Sequence, residues 1–241
     1  MYETNFFNID NKLTELDKRA LERSEKQFER IDSITEYNQL KVLKAFIKNG
    51  VSESSFAGST GYGYDDRGRE VLEKVMADCM GAEDSLIRHN FVSGTHTLTV
   101  ALFGVLRPGD KVICLTGRPY DTITGVFGID EKTDGSLADF GVKYSQVELK
   151  ADGTPDIEEI KRVLRNEKPK MAYIQRSRGY STRPSLRIAD IEVIIKAIKE
   201  ASPESIIMVD NCYGEFVETK EPCEIGADII AGSLIKNPGG G

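Results

Sequence analysis

Histidine is nearly absent from this chain, and cysteine is sparse. The only histidines are His89 and His96, and the four cysteines, Cys79, Cys114, Cys212 and Cys223, make no C-x-x-C pair. A metal site would have to gather scattered ligands with no characteristic spacing, so none is expected. A chain of this length does not depend on disulfides, and its thiols are expected to be reduced and mostly buried. No stretch approaches the roughly 20 apolar residues of a transmembrane helix. The opening, Met1 to Asp10, lacks the basic-then-apolar order of a secretory signal. Dense Lys/Arg runs are missing too, and a net charge of -7 offers no general attraction for phosphate backbones or anionic lipid. These absences lead to the expectation of a cytoplasmic protein with neither nucleic-acid nor membrane partners.

What is present is an ordinary folding composition. Apolar residues at 39% and charged residues at 29% of 241 suit one sizeable α/β domain, or one domain with an appended arm. Apolar residues recur at helical spacing from Leu13 to Arg30. They do so again from about Glu36 to Lys48, with Thr35 as a candidate N-cap and Gly50 as a stop. Two helices are expected there, ahead of any strand, lying as an arm on a domain or on a partner subunit. A glycine-rich loop, GSTGYGYDDRG, spans Gly58 to Gly68 and leads into a helix from about Arg69 to Met80. Strand-like runs then fall at Ser85–Arg88, Lys111–Leu115, Lys143–Leu149, Met171–Gln175, Ile206–Asp210 and Asp228–Ala231. Helical patterns fit Thr95–Leu106, Asp156–Arg165 and Ile188–Ala201. Short buried runs alternating with helices predict a mainly parallel sheet covered on both faces. Such sheets bind ligands beyond the carboxyl ends of their strands.

Three constellations lie at those ends. Ser93-Gly94-Thr95-His96 opens an apolar helix: Ser93 suits an N-cap, Gly94 permits close backbone approach, and the free N–H groups of the first turn form an anion site. The plain alternative is a capped helix with nothing bound. Asp210 ends the run IIMVD, where a carboxylate can pair with a protonated ring nitrogen, coordinate a metal or cap the next helix. Lys236, in GSLIKNP after another apolar run, sits in an apolar context that favours the neutral, nucleophilic amine. Separately each has a structural explanation. Together they meet three needs of one cofactor, pyridoxal-5'-phosphate (PLP): a nest for the phosphate, a partner for the ring nitrogen and an amine to hold the aldehyde as an imine. Tyr120, after the Lys111–Leu115 run, can stack on the ring or be a core tyrosine. Tyr62, Tyr64 and Arg67 in the glycine-rich loop suit phosphate or carboxylate recognition, or plain solvation. A dinucleotide-binding fold is disfavoured, because no G-x-G-x-x-G opens a helix after a strand.

With the phrases TGYGYDDRGRE, FVSGTHTLTVALFGVLRPGD, IQRSRGYSTRPSL, MVDNCYGEF and GSLIKNPGGG, the chain resembles the fold-type I PLP enzymes. Within them it is similar to the cystathionine lyase/methionine γ-lyase-like group labelled aluminium-resistance proteins. The resemblance runs from about Ser55 onward. It implies the three-layer sheet of the aspartate aminotransferase-like large domain at 55–241, an N-terminal helical arm at 1–54, and a missing C-terminal small domain. It also implies that Gly94 and Thr95 bind the phosphate with Ser233, that Tyr120 stacks, that Asp210 meets the ring nitrogen, and that Lys236 is the imine-forming base. In such lyases a tyrosine and an arginine of a neighbouring subunit reach the phosphate, and Tyr62, Tyr64 and Arg67 occupy the matching loop. Gln175 to Ser177 correspond to contacts on the ring-hydroxyl side. Cys212 stands where better-known lyases carry threonine. The implied activity is a carbon–sulfur lyase acting on a sulfur-containing amino acid, in a homodimer or homotetramer. Transamination, aldol cleavage or an inactive fragment of the same fold are the rival readings.

Overall fold

The computed structural model describes residues 7–59, 62, 66–130 and 133–239. Its centre is a five-stranded parallel sheet of order β2-β1-β3-β4-β5, built from β1 (Lys111–Cys114), β2 (Lys143–Gln146), β3 (Met171–Gln175), β4 (Ile206–Asp210) and β5 (Ile229–Ala231). Every pairing is parallel, so all five carboxyl ends share one edge. Successive side chains alternate between two cores. Val112, Cys114, Met171, Tyr173 and Met208 face one side, where they pack with Leu98, Leu102, Ile123 and Phe127 of α3 (Gly94–Val105) and α4 (Asp121–Phe127). Ile113, Ala172, Ile174, Ile207 and Val209 face the other, against α5 (Ile157–Glu167) and α6 (Ile188–Ala201). Helix, sheet, helix is the expected three-layer arrangement. It accounts for continuous apolar runs in β3 and β4 rather than alternating ones.

Three local expectations need correction, and one helix forms where none is expected. The N-terminal region is one helix, α1 (Asn11–Lys48), not two. Residues 31–35 contain neither proline nor glycine, and the Ser33 hydroxyl donates back to the Glu29 carbonyl at 3.0 Å. Such a serine is accommodated inside a helix rather than capping a new one. Helix α2 (Arg67–Met80) starts two residues earlier than expected, because Asp66 is the N-cap and its side chain accepts the Arg69 N–H. Ser85–Arg88 is not a strand. The Ser85 and Ile87 amides are taken by Asp84 and Glu73 side chains, and a cavity of 550 Å³ separates this segment from β5. A strand needs a hydrogen-bonding neighbour about 4.8 Å away, and among the described residues this segment has none. Finally, α4 was not anticipated. Its two threonines and Gly125 are weak helix formers, and burial of Ile123 and Phe127, one turn apart, compensates.

At about 1.5 Å per residue, α1 is about 57 Å long, yet only Asn38 and Ala45 are buried. Its C-terminal half packs on α2 through Ala45, Val75 and Cys79. Asn38 donates to the carbonyls of Phe216 and Glu218, and Lys41 to that of Thr219. The helix therefore holds the loop that follows β4. Along its free length Leu13, Leu16, Phe28, Ile31, Leu40, Leu43 and Ile47 are exposed. All four cysteines are free thiols, and Cys79, Cys114 and Cys212 are buried. Among the described residues no helix is long and apolar enough to cross a membrane.

Candidate active site

Asp210 is the last residue of β4, and its carboxyl group is buried beneath the sheet edge. Oδ1 accepts the Cys212 N–H at 3.1 Å and Oδ2 the Tyr173 hydroxyl at 3.2 Å. Burial pushes its pKa upward, while the Cys212 and Tyr173 hydrogen bonds and the Lys236 charge pull it back. A carboxylate in this position gains from a cationic partner.

Helix α3 begins at the same edge. The Ser93 side chain accepts the His96 N–H at 3.1 Å, as an N-cap should. Its first residue is Gly94 for a steric reason. A Cβ there would lie 3.3 Å from the Cys212 sulfur, 3.6 Å from the Ser233 Cβ and 3.9 Å from the Lys236 Nζ. The positive end of α3 thus lies close to the lysine amine. Thr95 Oγ1 meets Thr122 Oγ1 at 2.7 Å, joining the starts of α3 and α4.

Lys236 follows β5 in an irregular turn, Ile235–Gly239. Its Nζ lies 4.5 Å from the centre of the Tyr213 ring, a cation–π distance. The lysine is exposed at the mouth of the site, so the apolar pocket expected around it gives way to an aromatic and polar one. Tyr120 enters from the end of β1. Its backbone N–H donates to Gln175 Oε1 at 2.6 Å, and its ring tilts against Tyr180, centre to centre 5.4 Å. The hydrogen bond with Tyr180 and some burial hold the Tyr120 phenol up to about 12, so it keeps its proton at neutral pH. Burial and the neighbouring Asp210 push the Cys212 thiol up to about 12, which makes it an uncharged wall rather than a nucleophile.

One cavity of 280 Å³ collects Gly94, Thr95, Tyr120, Asp210, Cys212 and Lys236, near the lower end of the roughly 300–1,000 Å³ typical of small-molecule sites. Not every expected residue lies in it. Ser233 lines the neighbouring 550 Å³ cavity beside β5. Ser93 acts through its cap. Tyr62 is 83% exposed and Arg67 is exposed, both away from this cavity. Tyr64 lies outside the described residues. Tyr213 and Tyr180 also line the cavity; neither stands out individually in the sequence, and the available signal was the tyrosine in MVDNCYGEF and in IQRSRGYSTRPSL.

Behind the cavity, Arg176 organises the turn after Asp210. Its buried guanidinium donates through Nη1 to Asn211 Oδ1 and the Gly214 carbonyl, both at 2.8 Å, and through Nη2 to Glu218 Oε2 at 2.9 Å. Fully buried Glu221 accepts from Asn211 Nδ2 at 3.1 Å and from the Phe216 N–H at 2.7 Å. Arg176→Ala would leave Asn211 Oδ1 and the Gly214 carbonyl without this donor and buried Glu221 without its nearby cation, and is expected to cost about 3–5 kcal/mol, measured as a lower denaturant midpoint. A loss within about 0.5 kcal/mol, as at an exposed pair, would refute the role of the network.

The family described as methionine gamma-lyase matches residues 13–241. The chain belongs to that family. A protein named YnbB from Bacillus subtilis is 50% identical over 212 residues, 88% of this chain and 50% of its own length. The solved structure of a carbon-sulfur lyase involved in aluminum resistance from Clostridium novyi is similar at 47% identity and a TM-score of 0.89, covering 95% of this chain and 54% of that one. The fold alone extends to a PLP-dependent protein, YhfS from Escherichia coli, at 19% identity and a TM-score of 0.62, covering 82% of this chain and 50% of that one. The chain thus spans about half the length of these relatives. Methionine gamma-lyase family membership implies PLP as the cofactor, and this cavity suits it. A helix N-terminus, a buried carboxylate and an amine surround a space into which Gly94 projects no side chain.

Proposed function

We propose that this member of the methionine gamma-lyase family is a PLP-dependent carbon–sulfur lyase acting on a sulfur-containing amino acid of the cystathionine or methionine type. The observation that supports it most is the convergence of Lys236, Asp210, Tyr120 and the start of α3 on one cavity. When bound, PLP supplies an electron-accepting ring that stabilises negative charge on the substrate α-carbon. Gly94 and Thr95, at the positive end of α3, bind the phosphate. Asp210 holds the proton on the ring nitrogen, and its burial strengthens that contact. Tyr120 packs against the ring. Lys236 Nζ would hold the cofactor covalently and, once the substrate amine displaces it and frees its own amine, would take the proton as the substrate Cα–H bond breaks. As the carbon–sulfur bond breaks with its electron pair on sulfur and the carbanion pair forms a carbon–carbon double bond, the protonated Tyr120 phenol would supply the thiol proton. The exposed apolar residues of α1 and the exposed Tyr62 support an assembly of two or four copies. There the arm of residues 1–54 would lie against a neighbour, and Tyr62, Tyr64 and Arg67 would reach a neighbour's phosphate. Product analysis tests the reaction. Cystathionine or methionine should yield pyruvate or 2-oxobutyrate with ammonia and a thiol in equal amounts. Transfer of the amino nitrogen to an added oxo acid without thiol release would overturn the lyase reading.

A further inference from the structure

Lys236 is held in place partly by a side-chain carboxyl that takes no part in lining its cavity. Glu215, in the turn after β4, is 4% exposed, and its Oε2 is buried without a hydrogen-bond partner among the described residues. Its Oε1 accepts the Ser233 N–H at 2.9 Å. A Cβ on Gly232 would come within 1.9 Å of that same oxygen, so the carboxyl group reaches the end of β5 only because residue 232 has no side chain. On the far side of the lysine, Asn237 Nδ2 donates to the carbonyls of Tyr213 and Glu215, each at 3.2 Å. Residues 213–215 therefore hold position 233 and position 237, with Lys236 between them and its Nζ above the Tyr213 ring. The clamp is anchored from behind, since Arg176 binds the Gly214 carbonyl and Glu221 binds the Phe216 N–H.

An apolar side chain of similar size would fill this place without burying an oxygen that nothing satisfies. What a carboxyl group adds is the bond to Ser233. Burial pushes its pKa up to about 7, so much of it is uncharged at neutral pH and adds little repulsion toward Asp210 and Glu221 nearby.

We propose that Glu215 is a positioning residue for Lys236: by holding the Ser233 amide at the end of β5, while its backbone holds Asn237, it sets where the lysine amine enters the cavity. The inference rests on reading Lys236 as the cofactor-binding lysine, and two separate measurements keep the two ideas apart. The first is amide hydrogen exchange on the cofactor-free chain. In Glu215→Ala the Ser233 amide should exchange at least tenfold faster while the amides of β3 and β4 stay within about twofold of wild type. Glu215→Gln, whose side-chain oxygen can still accept, should restore slow exchange. The second is the induced circular dichroism of the visible band after PLP is added. It should fall severalfold in Glu215→Ala and recover in Glu215→Gln, although borohydride still fixes the cofactor to Lys236 in both. Unchanged Ser233 exchange in Glu215→Ala overturns the proposal. So does uniformly faster exchange throughout β3 and β4, which would mark a merely structural role, or an unaltered dichroic band. If Lys236 takes up no cofactor in the wild-type chain while Ser233 responds as expected, the cofactor reading fails and the brace stands.

Discussion

Lys236→Ala is expected to abolish covalent attachment of PLP and to lower carbon–sulfur elimination by roughly 10³-fold or more, combining the loss of the attaching amine with that of a general base typically worth 10²–10⁴-fold. Wild-type chain treated with PLP and then borohydride should carry one cofactor mass on the peptide containing Lys236, and its visible band should disappear on reduction. The variant should show neither. Its fold should be little changed, because Lys236 is exposed and its contact is with the Tyr213 ring. An equal adduct at another lysine would remove the central assignment of the site.

The second large effect belongs to Asp210. Asp210→Asn keeps the shape and its one oxygen can still accept the Cys212 N–H, with the amide nitrogen donating to the Tyr173 hydroxyl oxygen, but it loses the negative charge beside the ring nitrogen. Release of the substrate α-proton, followed by exchange with deuterated solvent, should slow by about 10²–10³-fold, in the range for removal of one electrostatic stabiliser from a dry site. The same substitution should act oppositely on the cofactor-free fold. Burial raises the Asp210 pKa above its ordinary value, so the native state binds the proton more tightly than the unfolded chain does. Stability is then lost as pH rises from the ordinary carboxylate range through the native value. Asp210→Asn should therefore unfold later than wild type at neutral pH, and the gap should close on acidification. A carboxylate that is conducive to catalysis and unfavourable to folding is what an electrostatic role for Asp210 requires. Proton release near the wild-type rate in the variant would refute that role.

Much of the fold could be read along the chain. MAYIQ and IIMVD are continuous apolar runs because both faces of β3 and β4 are buried between helix layers, and the spacing within IADIEVIIKAIKEA places Ile191, Ile194, Ile195 and Ile198 on the buried side of α6. Those patterns are local, since each residue's burial follows from its own period. Ser85–Arg88 misled because its apolar run is real, but strand formation depends on a neighbour that this segment does not meet. The helix α4 was invisible for the opposite reason. Weak local preference is overridden by packing of Ile123 and Phe127 against the sheet.

The site divides in the same way. Residues at strand ends with unusual chemistry, Asp210 and Lys236, stood out because parallel topology directs every such end to one edge. Order and residue type single out the acid, the amine and the amide-lined turn as candidates. Which groups support them was a matter of convergence between distant segments. Gln175 holding Tyr120, Arg176 tying Asn211 to Glu218, Tyr213 beneath the Lys236 amine and Glu215 against Ser233 are contacts whose partners sit from 18 to 55 positions apart wherever a bond records the separation. A chain's own order specifies which chemical groups it carries and how each stretch alternates between water and core. Only closure of the sheet brings those groups within hydrogen-bonding range, because a directional contact of about 3 Å is decided by three-dimensional packing rather than by proximity along the backbone.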